Sequence, residues 1–135
     1  VARMRELAER CGVKYWGHGK EGSFYSHPSP SFPKDVHAVH WFQFAVETDD
    51  HVKLSIIREE VKKWEHAVEI SRARPNQCEI NPKGVSKGGG MAELCGHLRI
   101  PLDRVVAIGD GMNDLSMLAA AGLGVAMGNA EDELK

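Results

Sequence analysis

Only three cysteines occur in the 135-residue sequence, Cys11, Cys78 and Cys95, and no two of them form a C-x-x-C pair. An odd count at wide spacing argues against a disulfide framework and against the zinc or redox motifs that need two close thiols. The expectation is small, buried, reduced side chains in an intracellular, cytoplasmic protein. Excess charge of one sign is also missing. Seventeen Lys and Arg against 19 Asp and Glu leave a formal net charge of -2, which gives no electrostatic reason to expect nucleic acid or an anionic membrane surface as partner. Nor is there a run of roughly 20 apolar residues, the length that a membrane-spanning helix needs. The uncharged stretch 115–130 comes closest, and Gly122, Gly124 and Gly128 cut it into a helix, a turn and a strand. The opening residues, VARMRE, are charged rather than apolar and predict no secretory leader, and the lack of Met at position 1 predicts a chain that begins inside a longer one.

What is present is an ordinary globular composition, 42% hydrophobic and 27% charged. Residues 4–11 read as a short helix, with Met4, Leu7, Ala8 and Cys11 on one face and Gly12 as its stop. The string SHPSPSFP at 26–33 carries three prolines and predicts an extended loop. VHAVHWFQFAV, residues 36–46, is rich in β-branched and aromatic side chains and reads as a strand. A charged helix is expected over 50–65, with Val52, Ile56, Val61 and Trp64 turned inward. Residues 67–71 and 77–80 then predict a β-hairpin around Pro75-Asn76.

After Pro82 the grammar changes. A helix over 87–98 sets Met91, Leu94, Cys95 and Leu98 on one stripe, and residues 104–108 form a short buried strand. Residues 113–121 form a second helix closed by Gly122, and 123–127 form another strand. Helix, strand, helix, strand with short connections predicts an α/β fold with a parallel sheet covered on both faces.

Chemistry concentrates in VVAIGDGMNDLSML, residues 105–118. A buried strand runs into a loop bearing Asp110, Asn113 and Asp114, and the loop opens a helix. Ligands of open α/β sheets bind beyond the carboxyl ends of the strands, which is where this loop falls. Two carboxylates four residues apart on such a turn can converge on one hard divalent cation, and Mg2+ is the oxygen-seeking ion usually paired with phosphate. Gly109 and Gly111 let the backbone approach closely, and Asn113, near a helix N-terminus, can donate its amide to a phosphate oxygen. Taken singly, Asp114 would read as a helix cap and Asn113 as a turn residue. The combination of strand, paired glycines, two carboxylates, an amide and a Met-Leu helix is what exceeds turn chemistry. Lys87, in the first turn of the helix over 87–98, would ordinarily read as a solvated lysine, although a cation at a helix N-terminus opposes the macrodipole.

The string resembles the fourth motif of the haloacid dehalogenase superfamily, GDGxND followed by ML, and AAAGLGVAMGNA resembles its continuation in the Cof-type sugar-phosphate phosphatases. Upstream, Glu79-Ile80-x-Pro82-x-Gly84-Val85-Ser86-Lys87-Gly88 is similar to the segment where that family leaves its cap domain and presents the third-motif lysine. The resemblance covers residues 77–135. It implies a core of the superfamily's Rossmann-like parallel-sheet type over 81–135, preceded over 1–80 by part of a C2-type α/β cap that selects substrate. It also implies that Lys87 contacts the phosphoryl group and the nucleophile, Asp110 ligates Mg2+, Asp114 holds the metal or its water, and Asn113 binds phosphate. Lys87, Asp110 and Asp114 are thus the expected catalytic residues of a phosphoric monoester hydrolase. The activity implied is Mg2+-dependent hydrolysis of a small phosphorylated metabolite, such as a sugar phosphate, through an aspartyl-phosphate. A lysine and a metal supply the positive charge that phosphoryl transfer needs.

The family's first motif, Asp-x-Asp after a strand, does not occur in the sequence. None of Asp35, Asp49, Asp50, Asp103 and Asp132 has a comparable strand-to-loop setting, and the chain alone is therefore expected to be inactive. The strand that would carry that motif belongs beside residues 104–108, so the chain is expected to expose an unpaired apolar edge through which it could self-associate. Residues 131–135 are expected to start a helix. A P-type pump, whose phosphorylation domain also carries GDGxND, is the rival from another class, and EINPKGVSK speaks against it. Phosphoserine phosphatase would have a helical cap. A non-catalytic remnant binding partners through the sheet edge is the third reading. His37 and His40, read as strand residues, would face opposite sides and share no metal. Trp16, Trp41 and Trp64 read as core.

Overall fold

Alternation along residues 41–47 turns Phe44 and Val46 to one side of a strand, and these two side chains lie at the centre of the first of two units. The computed structural model describes residues 1–135, which divide into Val1–Lys83 and Gly84–Lys135. In the first unit the order is α1 (Ala2–Cys11), β1 (Lys14–Gly19), β2 (Gly22–Tyr25), β3 (Trp41–Glu47), α2 (His51–Lys62), β4 (Val68–Ser71) and β5 (Gln77–Pro82). The strands form one antiparallel sheet in the order β2-β1-β3-β5-β4. Leu7 and Ala8 of α1 and Leu54, Ile57 and Val61 of α2 pack with Tyr15, Phe44, Val46, Cys78 and Ile80 into a single core. Gly12 ends α1 in the left-handed conformation at φ 60, and the Asp50 carboxylate starts α2 by accepting from the Val52 and Lys53 N–H groups.

Three details differ from the sequence-based expectation. The strand expected over 36–46 begins only at Trp41. Asp35 accepts a hydrogen bond from the His37 N–H and folds Val36–Ala38 into a single 3-10 turn, a local bond that competes with the ladder. His37 is therefore not a strand residue. The hairpin β1–β2 had no counterpart among the expected strands, because Gly17, Gly19 and Gly22 dilute its β signal. Gly17 and Gly19 are there for contact: a Cβ on Gly17 would come within 2.6 Å of the Trp41 ring, and one on Gly19 within 2.9 Å of the His40 carbonyl. Finally, Val52 and Ile56 of α2 are 71% and 54% exposed, and the buried stripe is Leu54, Ile57 and Val61. Both stripes have helical spacing. The one chosen puts Arg58 where its Nη2 donates to the carbonyls of Pro75 and Gln77, tying α2 to the start of β5.

The second unit contains α3 (Lys87–Leu98), β6 (Val106–Gly109), α4 (Leu115–Ala120) and β7 (Leu123–Ala126). β6 and β7 pair in parallel, with Val106 opposite Leu123 and Ile108 opposite Val125. The helix α4 packs against both strands, and Ala107 is buried. The approach is close enough that a Cβ on Gly124 would lie 2.5 Å from the Leu118 carbonyl oxygen. The expectation of cover on both faces fails within this chain. Val106 and Ile108 are 60% and 61% exposed, Leu123 and Val125 beside them are exposed too, and β6 has no partner on its other edge. Leu94 and Leu98 of the expected α3 stripe are likewise exposed, while Cys95 is buried. The helix expected over 131–135 is a turn, closed by the Leu134 N–H on the Glu131 carbonyl. No helix is long and apolar enough to cross a membrane, and the three cysteines are free, with burial raising the Cys78 thiol to about 11.

The corrected face of α2 gives a direct prediction. Leu54→Ala should cost about 2–5 kcal/mol of stability by emptying a filled core position, whereas Val52→Ala should change it by about 0.5 kcal/mol or less. Urea denaturation of the two variants compares them, and equal losses would restore the other stripe.

Candidate active site

The loop after β6 is built around one side chain. Asp114 Oδ2 accepts from the Asp110 N–H at 3.0 Å and the Gly111 N–H at 3.2 Å, while the Asp114 N–H donates to the Gly111 carbonyl. These bonds curl Met112–Asp114 into a 3-10 turn that runs directly into α4. The loop is so tight that a Cβ on Gly109 would sit 2.4 Å from the Asp114 Cβ, which is why glycine closes the strand. Asp114 itself is only 4% exposed.

The second part of the site arrives from α3. Ser86 caps that helix, its Oγ accepting from the Gly89 N–H. Lys87 in the first turn donates from Nζ to Asp114 Oδ1, forming an ion pair whose lysine side chain remains 49% exposed. The next residue, Gly88, donates its N–H to Ser116 Oγ at 3.1 Å. Asp110 lies beyond the end of β6, exposed, with Oδ2 accepting from Asn129 Nδ2 at 3.4 Å and its carbonyl accepting from the Glu131 N–H. Asn113 occupies the turn, half-buried.

Of the four sequence candidates, Lys87 and Asp114 are joined directly, Asp110 is joined to Asp114 through its own N–H, and Asn113 shares their turn. Ser116 and Asn129 were not singled out from the sequence. Their only signals are a hydroxyl two residues past Asp114 and an Asn in the Gly128-Asn129 turn after β7, features too common to choose on.

Comparison with known proteins decides the relationship. Residues 19–135 match the family model of haloacid dehalogenase-like hydrolases. The chain belongs to that family. It is 35% identical over 135 residues to a Bacillus subtilis (strain 168) 5-amino-6-(5-phospho-D-ribitylamino)uracil phosphatase, a match spanning 100% of this chain and 52% of the relative. A pyridoxal phosphate phosphatase of Escherichia coli (strain K12) is 38% identical over 102 residues, 76% of this chain and 36% of that one. Among solved structures, a haloacid dehalogenase-like hydrolase from B. subtilis superposes with a TM-score of 0.87 at 19% identity, covering 99% of this chain and 61% of that one. The likeness shows a shared α/β fold. The chain spans about half the length of the first of these relatives.

In this member of the family the electrostatics of the loop follow from its bonds. Burial works to raise the pKa of Asp114. The hydrogen bond from Lys87, those from the Gly111 and Asp110 N–H groups and the lysine's charge act the other way and prevail, holding the carboxyl below its ordinary value. An ionised carboxylate has about four acceptor directions, and here Lys87 and the two N–H groups already fill three. The remaining one suits a water molecule better than direct metal ligation. Asp110 keeps an exposed carboxylate, a hard oxygen donor. Such an exposed carboxylate fits a cation that retains much of its water and takes one or two carboxylates, as Mg2+ does.

Asp114 should therefore leave a mark on acid stability. Its folded-state pKa is depressed, so its contribution is complete above the unfolded value of about 3.9 and vanishes as pH falls through the lower folded value. Asp114→Asn should lower stability at neutral pH and flatten the acid limb of a plot of denaturation midpoint against pH. Part of the limb persists through Glu9, whose pKa is lowered by hydrogen bonds from Arg5 and Tyr15. An acid limb unchanged in the variant would show that the pairing contributes nothing.

Proposed function

We propose that this chain supplies the lysine, the metal-binding carboxylate and the phosphate-binding amide of a Mg2+-dependent phosphoric monoester hydrolase. Its substrates are small phosphorylated metabolites, sugar phosphates foremost. The observation that carries the reading is the closed arrangement in which a buried Asp114 holds both Lys87 and the N–H groups of Asp110 and Gly111. That arrangement lies at the carboxyl end of β6, where α/β sheets bind ligands. The two curated relatives are named for small organic phosphates, a phosphoribitylamino-uracil and pyridoxal phosphate, which supports the substrate class.

In this reading each residue has a physical task. Lys87 keeps one N–H on Asp114 and turns the rest of its ammonium, half in solvent, toward the equatorial oxygens of the phosphoryl group. Asn113 donates its amide to the same oxygens. Asp110 would hold the magnesium ion, and Asp114 holds Lys87, with its one remaining acceptor direction left for a water molecule. When bound, Mg2+ neutralises phosphate charge and fixes the phosphoryl group for in-line attack. The attacking aspartate, which becomes an aspartyl-phosphate, and its partner acid come from residues outside this chain, because the sequence has no Asp-x-Asp. Residues 1–80 act as the cap that selects substrate, and residues 81–135 belong to the catalytic core. The free thiols support a cytoplasmic site of action. Alone, the chain can self-associate through the bare face and edge of β6.

Two measurements test the proposal. The chain as it stands should release no phosphate from p-nitrophenyl phosphate with Mg2+; turnover abolished by Asp110→Ala would place the nucleophile inside it. In a full-length protein carrying this chain, Lys87→Ala and Asp110→Ala should each lower kcat/KM by roughly 100-fold or more, since each removes charge stabilisation made in the transition state. Near-normal rates in both variants would end the assignment.

A further inference from the structure

Lys87 has a side-chain anchor in Asp114, but the position of its ammonium also depends on where the backbone of α3 starts. Three features fix that start. Ser86 Oγ accepts from the Gly89 N–H at 3.1 Å, the ordinary capping bond. The Gly88 N–H, another first-turn donor with no partner inside the helix, is met by Ser116 Oγ at 3.1 Å. Gly88 is buried against the same residue, so closely that a Cβ there would lie 2.4 Å from the Ser116 carbonyl oxygen and 3.1 Å from the Ser116 Cβ. Ser116 is thus both the floor on which the first turn of α3 rests and its hydrogen-bond acceptor. It stands two residues after Asp114, in the first turn of the helix that the active-site loop opens.

We infer that Ser116 is a positioning residue for Lys87. Its hydroxyl clamps the peptide of the residue next to the lysine, so that the ammonium meets Asp114 and the phosphoryl group without a search. The chain around it makes such a clamp necessary. Residues 88–90 are all glycine, and nothing lies within 4 Å of where a Cβ on Gly90 would stand, so that residue's lack of a side chain serves no contact here. A helix opening on three glycines is intrinsically loose. The Ser116 bond is the external tie that compensates. Had the hydroxyl only capped its own helix, it would face an N–H of α4; it accepts instead from α3.

This inference rests on the role proposed for Lys87, and the test separates the two. In the 135-residue chain, Ser116→Ala should speed amide hydrogen exchange at Gly88, and Ser116→Thr, which keeps the hydroxyl, should not. In the full-length protein, Ser116→Ala should lower kcat on a phosphate ester roughly tenfold, with KM little changed, the size of loss expected when a catalytic group is misplaced by less than an ångström. Ser116→Thr should restore most of it. The deciding comparison is made in a Lys87→Ala background, where adding Ser116→Ala should change kcat by less than about twofold, because a residue acting through Lys87 has nothing left to position. An unchanged rate in Ser116→Ala, or a loss of the same size with and without Lys87, would overturn the positioning role while leaving the proposed phosphatase intact. A Lys87→Ala variant with full activity would instead sink the function itself.

Discussion

A buried carboxylate is the constraint on which the second unit depends. An ionised side chain at the exposure of Asp114 is tolerable only if its oxygens are paired and hydrogen-bonded, and the chain meets that condition from two directions at once. The loop supplies two N–H groups and α3 supplies an ammonium. Because one residue accepts from both, the end of β6 and the start of α3 cannot move apart without stranding a charge. Gly109 and Gly88 are consequences of the same demand, since each lets backbone come nearer than a Cβ would allow.

Two shortfalls in this unit have one solution. Parallel sheets are stable when both faces are covered, yet the face bearing Val106, Ile108, Leu123 and Val125 is bare. Independently, the proposed function needs an attacking aspartate, and the sequence has no Asp-x-Asp. Additional polypeptide that laid a strand along the free edge of β6 would bring a loop to the same carboxyl end as Asp110. The helix of its crossover could then lie over the apolar face. Stability and chemistry therefore ask for their missing groups in the same place.

What could be read from sequence was what short-range physics determines. The bounds of α3 follow from Ser86 and the following helical pattern, and the loop at 105–118 follows from strand, glycine and carboxylate in succession. The β1–β2 hairpin was hidden because Gly17 serves the Trp41 ring, a partner far along the chain, at the expense of its own strand signal. Val61 of α2 and Trp64 just beyond it do turn inward, whereas Val52 and Ile56 were misread because two apolar stripes satisfy the same period, and only contact with the rest of the core chooses between them. Ser116 was illegible for a similar reason: its role is defined by the peptide of Gly88, 28 residues away. The identity of Asp114 as a candidate was visible, but not that most of its acceptor capacity is spent within the chain.

Local preferences are broken most densely where the proposed chemistry lies. Lys87 sits in the first turn of a helix, where the macrodipole disfavours a cation and no acidic residue in that turn offsets it. Three glycines follow it in a helix, each worse than alanine by up to about 1 kcal/mol. A carboxylate is buried nearby. Folding alone would select none of these. An aspartate that only capped α4 would not need a lysine, and a lysine that only solubilised α3 would not need to face inward. Joined, they hold a half-exposed ammonium at the carboxyl end of β6, an arrangement that the proposed function would use and that is costly to keep otherwise. Violations gathered at one point are what the function proposed for Lys87 and Asp114 would account for, and stability alone does not.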